Sequence, residues 1–130
     1  MEIAKISNTS SIEEAASKQI EAAITALIAG NIEVAVTLAG AAEGMIQREG
    51  VGLFRHVAER ERTTGIDRKQ WIAKLNRERD WLKHGGGERT MSFERADGAV
   101  MIARAMSKLT RWTPLMIEFD NWVERSLDEF

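Results

Sequence analysis

The amino-acid sequence predicts an all-α fold, a single bundle of four to five main helices with one short extra helix. Apolar residues recur three and four positions apart along most of the chain, which is the helical period, and no strand-like alternation is present. Capping residues, glycines and one proline divide this pattern into separate helices. We expect one domain over residues 1–130, in which the polar residues 1–10 are frayed.

The first two helices are predicted to form a closely packed pair. The first begins at Ser10 or Ser11 with a capping box and ends at Gly30. Its neighbour, residues 32–49, follows after so short a connection that the two helices should be antiparallel. Gly40 and Gly44 inside it each cost about 1 kcal/mol relative to alanine, so we expect a packing reason, such as a second copy of the chain.

The middle of the chain predicts a short helix and then the central helix. The short helix covers residues 53–62 and contains His56, which we interpret as a surface or packing residue. The central helix opens with a capping box at Asp67 and ends at Gly85, which suits a left-handed cap. The glycines at 85–87 predict the most flexible segment of the chain.

The last two helices are predicted over residues 92–111 and from Pro114 onward. Pro114 at a first helical position, after Thr113 as the cap, is a strong start signal. Most tryptophans on the later helices should pack in the core. Trp81 is expected to stack on a base or to pack against a second subunit.

The segment RDWLKH, residues 79–84, brings together an arginine, a carboxylate and a histidine. Asp80 and His84 are four positions apart and share one side of the helix. Arg79 lies about 140° from His84 around the axis, a gap that its side chain can close. These groups suit phosphate chemistry. The same segment also reads as an ordinary helix C-terminus, in which Arg79 holds a buried carboxylate such as Glu43.

Charge is distributed unevenly along the chain, although the net charge is only −2. Residues 1–47 hold two lysines and six glutamates, and residues 112–130 hold one arginine and five acids. Between them, residues 48–111 hold fifteen basic and nine acidic residues. Positive charge around RDWLKH indicates a phosphate-binding surface, although mixed solvated helix faces explain the same counts.

Composition excludes several classes of site. The chain has no cysteine and two histidines, which excludes disulfides, thiolate nucleophiles and cysteine zinc sites. No HExxH, EF-hand or phosphate-loop spacing is present, so we predict no metal and no cofactor. No signal peptide and no apolar stretch of membrane-spanning length is found, so we expect no membrane association and a cytoplasmic location.

RDWLKH resembles the R-x4-6-H motif of the HEPN superfamily of small all-helical proteins. TLAGAAEGM at 37–45, RDWLKHGGG at 79–87 and RAMSKLTRWTPLMIEF at 104–119 together resemble a group of small bacterial proteins that have asparagine where Asp80 stands. Many HEPN members are metal-independent ribonucleases, and others bind nucleotides or have lost activity. In that superfamily the motifs of two subunits face each other across a dimer.

The resemblance implies an HEPN-like homodimer that binds RNA or a nucleotide. It implies that His84 moves a proton, that Arg79 stabilises phosphoryl oxygens, and that Asp80 orients His84 or contacts the partner. We expect the neighbouring cations and one tryptophan to contact nucleic acid: Lys83, Arg77, Arg89 and Trp81. The alternative is a noncatalytic helical interaction protein in which residues 79–84 are structural or interfacial.

Overall fold

The computed structural model describes residues 1–46 and 68–126, which form five α-helices and no strand. The helices are α1 (Ile12–Ile28), α2 (Ile32–Met45), α3 (Arg68–His84), α4 (Arg95–Met106) and α5 (Pro114–Ser126). The predicted all-α bundle is therefore confirmed. The predicted short helix at 53–62, with His56, and the predicted cap at Asp67 lie outside the described residues.

The start of α1 follows its sequence signal. The Ser11 hydroxyl accepts the Glu14 N–H, and the Glu14 carboxylate accepts the Ser11 N–H, so the predicted capping box is confirmed. Gly30, just after α1, takes the left-handed conformation with φ of 84°, and α2 begins two residues later. Asn31 stands at the cap position of α2, but its side chain makes no capping hydrogen bond.

Two helix boundaries differ from the prediction. α2 ends at Met45 rather than at residue 49, because Ile46 is already extended with φ −106° and ψ 118°. α4 begins at Arg95 rather than at residue 92, because Asp97 accepts the N–H of Glu94 and caps the helix there. It ends at Met106 rather than at residue 111, where Ser107 is the C-cap residue and its hydroxyl donates to the main-chain carbonyl of Arg104 in the last turn.

The core lies where α1, α2 and α4 meet, and small residues at the contacts let these helices approach closely. A Cβ added at Gly98 of α4 would lie 2.7 Å from the Cδ1 of Leu27, so α4 could not approach α1 this closely with a larger residue. Alanines fill the rest of this contact and are almost fully buried: Ala23, Ala35, Ala39, Ala42, Ala99 and Ala105.

α3 packs on α2, and α5 packs on α1 and α4. Pro114 opens α5 as predicted, and the Thr113 hydroxyl accepts the N–H of Met116. In α4 the buried side is centred on Met101 and Ile102, whereas Val100 and Ala103 are half-buried. Most tryptophans pack in the core as predicted, since Trp71 is buried in it and the half-buried Trp112 and Trp122 pack against it, whereas the half-buried Trp81 does not.

Across the described ranges, no helix combines the length and the apolar character that crossing a bilayer requires.

Candidate functional site

An open groove of about 820 Å³ runs along one side of α3 and is closed by the segment that follows the helix. Arg77, Trp81 and His84 recur at helical spacing, so they lie on one side of α3. The groove is lined by five of the seven predicted site residues: Arg77, Asp80, Trp81, His84 and Arg89.

The glycine segment forms the second wall of this groove. Gly85 takes the left-handed conformation with φ 66° and donates its N–H to the carbonyl of Trp81, as predicted for the end of α3. The chain then reverses through Gly87, also left-handed with φ 84°. The indole Nε1 of Trp81 donates to the carbonyl of Glu88 at 2.7 Å, which ties this wall to the helix.

Trp81 is held from a second direction by an aromatic contact. Its ring centroid lies 6.2 Å from that of Phe93, with the two planes inclined at 53°. This is within the usual separation of interacting aromatic pairs. The half-buried Trp81 therefore has a defined orientation at the side of the groove.

Asp80 and His84 both line the groove, but within the described ranges no hydrogen bond or ion pair joins them. Asp80 instead lies beside Arg79, with 3.6 Å between its Oδ1 and the arginine Nε. Both Asp80 and His84 are exposed, so each can meet a ligand from solvent.

Arg79 lies on a different side of α3 and faces α2. Its Nη1 is 3.2 Å from the Oε2 of Glu43, which is the contact that the alternative interpretation of the sequence foresaw. The stem of Arg79 lies over Gly40, where an added Cβ would be 2.9 Å from its Cγ and Cδ. The packing reason expected for Gly40 is thus supplied by the chain itself. At Gly44, an added Cβ meets no atom of the described structure within 4 Å.

The side of α3 that carries Arg79 borders a second cavity. This cavity, of about 570 Å³, lies between α2 and α3 and also contains Lys83. Asp80 lies on the ridge that borders both cavities, whereas His84 lines only the groove. The structure therefore separates Arg79 and Lys83 from four of the predicted site residues, namely Arg77, Trp81, His84 and Arg89, while Asp80 borders both groups.

Glu43 is the centre of a charge cluster that joins three helices. Its buried carboxylate lies 3.1 Å from the Nε of Arg104 and 3.1 Å from the Nζ of Lys108, in addition to Arg79. Burial alone would raise the pKa of Glu43, but the charges and hydrogen bonds of Arg104 and Lys108 outweigh it, so this pKa is lowered. Arg104 also donates to Asn76, which lines the groove.

A second buried cluster joins α3 to α4 and was not anticipated from the sequence. The Nζ of Lys74 lies 2.9 Å from the Oδ1 of Asp97 and 3.9 Å from the Oε1 of Glu78. Burial, followed by the adjacent Asp97 carboxylate, raises the pKa of Glu78 to about 8. Glu78 follows Leu75 by three positions on the apolar side of α3, and this spacing was the available signal.

These two clusters give a structural role to several cations of the basic middle segment, residues 48–111. Four of its cations are in contact with buried carboxylates and serve the packing of the bundle: Lys74, Arg79, Arg104 and Lys108. The charged side chains that line the groove are exposed, and they are Arg77, Arg89, Asp80 and Glu88. The groove therefore carries two arginines and two carboxylates, and the positive charge of the whole segment is not concentrated in it.

Two further features concern metal binding and a cavity on another side of the bundle. In the part of the chain that the structure describes, no group of three or more histidine, aspartate or glutamate side chains is placed to hold a metal ion. A third cavity, of about 360 Å³, lies between α1 and α5 and contains none of the predicted site residues.

Comparison with known proteins identifies no relative, since no protein-family model, no curated protein and no solved structure matches this chain.

Proposed function

We propose that this chain is an HEPN-like RNA-binding protein that cleaves single-stranded RNA without a metal ion and works as a cytoplasmic homodimer. The observation that carries the proposal is the groove on α3, in which His84, Asp80 and two arginines surround one open space. Its volume of about 820 Å³ falls in the range of sites that hold small ligands, about 300–1,000 Å³.

The groove offers the groups that RNA binding requires. Arg77 and Arg89 provide exposed guanidinium groups for phosphate, and Trp81 provides an oriented aromatic ring for a base. Single-stranded RNA is recognised through such stacking and backbone contacts. The two arginines lie on the two walls of the groove, Arg77 on α3 and Arg89 on the segment that follows it.

The proposed reaction uses the RNA itself as the nucleophile. The 2′-hydroxyl attacks the adjacent phosphorus and loses its proton to His84, while the bond from phosphorus to the 5′-oxygen breaks. The leaving oxygen takes a proton from an imidazolium, which the His84 of a second copy provides in the dimer. The products are a 2′,3′-cyclic phosphate and a 5′-hydroxyl, and the arginines of the groove stabilise the negative charge on the non-bridging phosphoryl oxygens.

The test is incubation of the pure protein with a panel of single-stranded RNAs in the presence of chelator. We expect wild-type protein to produce 2′,3′-cyclic phosphate ends and His84→Ala to produce none, with unchanged helical circular dichroism. Lys18→Ala, an exposed change on α1, is the matched control and should cleave as wild type does. Intact RNA with wild-type protein, or undiminished cleavage by His84→Ala, would reject the ribonuclease.

Light scattering tests the dimer separately. A solution mass of two chains is expected for wild type, and a strict monomer at assay concentrations would remove the second His84 from the mechanism. The solution mass is measured in the absence of RNA, so it can be determined first.

A noncatalytic interaction protein is the second candidate, and one contact favours it. The pairing of Arg79 with buried Glu43 gives the arginine of the motif a structural role. Beside it, α2 exposes an apolar face that includes Val34, whose side chain is about half exposed, and Gly44. This candidate predicts that Arg79→Ala alters stability or association while no RNA is bound or cut.

A further inference from the structure

We infer that Arg77, rather than Arg79, is the arginine that binds phosphate in the α3 groove, and that Arg79 instead fixes α3 on α2. The inference rests on the proposed RNA-binding function and assigns its phosphate contact to a specific residue. It starts from one juxtaposition, in which Arg77 and His84 line the same groove whereas Arg79 lies on Glu43.

Helix geometry places Arg77 and His84 together. They are seven positions apart, so they lie only about 20° apart around the axis and about 10.5 Å apart along it. Arg79 is five positions from His84 and therefore lies about 140° away around the same axis. An RNA backbone that follows the groove from Arg77 to His84 stays on one side of α3. A backbone that contacted both Arg79 and His84 would have to pass around the helix.

The state of the two guanidinium groups is also different. Arg77 is exposed, and within the described ranges its guanidinium makes no hydrogen bond or ion pair, so its donors are available to a phosphate. The planar fork of arginine matches the oxygens of a phosphate and binds two of them at once. Arg89 lies in the loop that follows α3 and lines the same groove from its other wall.

Three contacts within the protein hold the side chain of Arg79. Its Nη1 lies 3.2 Å from the Glu43 carboxylate, its stem covers Gly40, and its Nε lies 3.6 Å from Asp80. To reach a phosphate beside His84 it would leave a buried carboxylate and pass around the helix. Removing one partner of a buried ion pair is costly, so the contact holds Arg79 in place.

The substrate class follows from this arrangement. The groove takes a short single-stranded RNA segment with one phosphate on Arg77 and the reacting phosphate near His84, two helical turns away. Binding should depend on salt, because each phosphate contact releases counterions.

The experiment compares two matched substitutions, Arg77→Gln and Arg79→Gln, with a short fluorescein-labelled oligouridylate as the probe. Fluorescence anisotropy over a series of salt concentrations gives the affinity and its salt dependence. We expect Arg77→Gln to weaken binding about tenfold and to reduce the slope of log affinity against log salt by about 0.7, the value for one lost contact to a single strand. Its thermal midpoint should equal that of wild type, and Arg77→Lys should restore part of the affinity.

Arg79→Gln should behave in the opposite way. Its thermal midpoint falls, while the affinity and salt slope of the folded protein stay those of wild type. A double-mutant cycle with Glu43→Gln should show strongly non-additive losses of stability, because the two side chains act through one contact.

The outcomes separate this inference from the function on which it rests. A wild-type protein that binds no oligouridylate at low salt overturns both the proposed function and the Arg77 contact. Normal wild-type binding that is lost in Arg79→Gln but kept in Arg77→Gln overturns only the assignment of the arginines. Additive effects in the cycle overturn the structural role of Arg79 whether or not RNA binds.

Discussion

The Nη1 of Arg79 lies 3.2 Å from the Oε2 of Glu43, although the two residues are 36 positions apart in the chain. This contact joins α3 to α2 near the C-terminal end of α3. The same carboxylate also holds Arg104 of α4 and the nearby Lys108, so one buried group connects three helices. The apolar side of α3, with the buried Trp71 and Leu75, packs on the bundle, and the groove side faces solvent.

Glu43→Gln should destabilise the fold by about 2 kcal/mol, because three neighbouring cations lose their shared negative charge. The loss is smaller than for a wholly buried pair, since the cations retain 14% to 29% side-chain exposure. Urea unfolding followed by circular dichroism measures it. Glu33→Gln, an exposed change on the same helix, should cost less than about 0.5 kcal/mol, and an equal loss in both variants would refute a special role for Glu43.

Two glycines of α2 should respond to alanine in opposite ways. Gly44→Ala should stabilise the protein by about 0.5 kcal/mol, since an alanine there has higher helix propensity and its Cβ meets no described atom within 4 Å. Gly40→Ala should destabilise it by about 1 kcal/mol, because its Cβ would lie 2.9 Å from the anchored stem of Arg79. Thermal denaturation of both variants checks the sign, and stabilisation by Gly40→Ala would show that Arg79 moves freely.

Stability should fall as pH rises from about 5 to about 8, because the pKa of Glu78 is raised to about 8 by burial and by the Asp97 carboxylate. In this window the folded protein keeps a proton that the unfolded chain has released, so unfolding is favoured by each increase in pH. The limiting slope for one proton is about 1.4 kcal/mol per pH unit. Urea unfolding at a series of pH values measures the slope.

Glu78→Gln is the control for this pH dependence, since it keeps a neutral side chain at all pH values. Its stability should be almost constant over the same window, where Lys74 and Asp97 keep their ion pair. The lowered pKa of Glu43 acts in the opposite direction, because its contribution is lost as pH falls below the ordinary value near 4.5. A wild-type slope that persists in Glu78→Gln would assign the titration to another group.

Trp81→Phe should loosen the loop that walls the groove, since it removes the indole N–H that donates to Glu88. The cost in global stability should be about 1 kcal/mol or less, and hydrogen exchange should become faster at Gly86 and Gly87. Trp112→Phe is the matched control, because it removes a similar hydrogen bond to the carbonyl of Met106 far from the groove. Equal exchange at the loop in both variants would contradict the tie through Trp81.

Local signals in the sequence were sufficient for the helical class and for several helix ends. The Ser11 capping box, the left-handed Gly85 and the Thr113 cap before Pro114 act within a few residues, so neighbouring residues alone specify them. The predicted start of α4 was wrong, because the side chain of Asp97 caps the main chain at Glu94. From the sequence alone, Ser92 was an equally plausible start.

The sequence by itself determined that residues 79–84 lie in one helix. Helical spacing then places Asp80 and His84 on the same side of that helix. Only the tertiary structure decided that Arg79 meets Glu43 and that Arg77 and Arg89 line the groove with His84. Helical periodicity specifies angles around an axis, but not which neighbouring helix lies at each angle. That choice is made by long-range packing and by buried charges that must find partners, as Glu43 does with cations from α3 and α4.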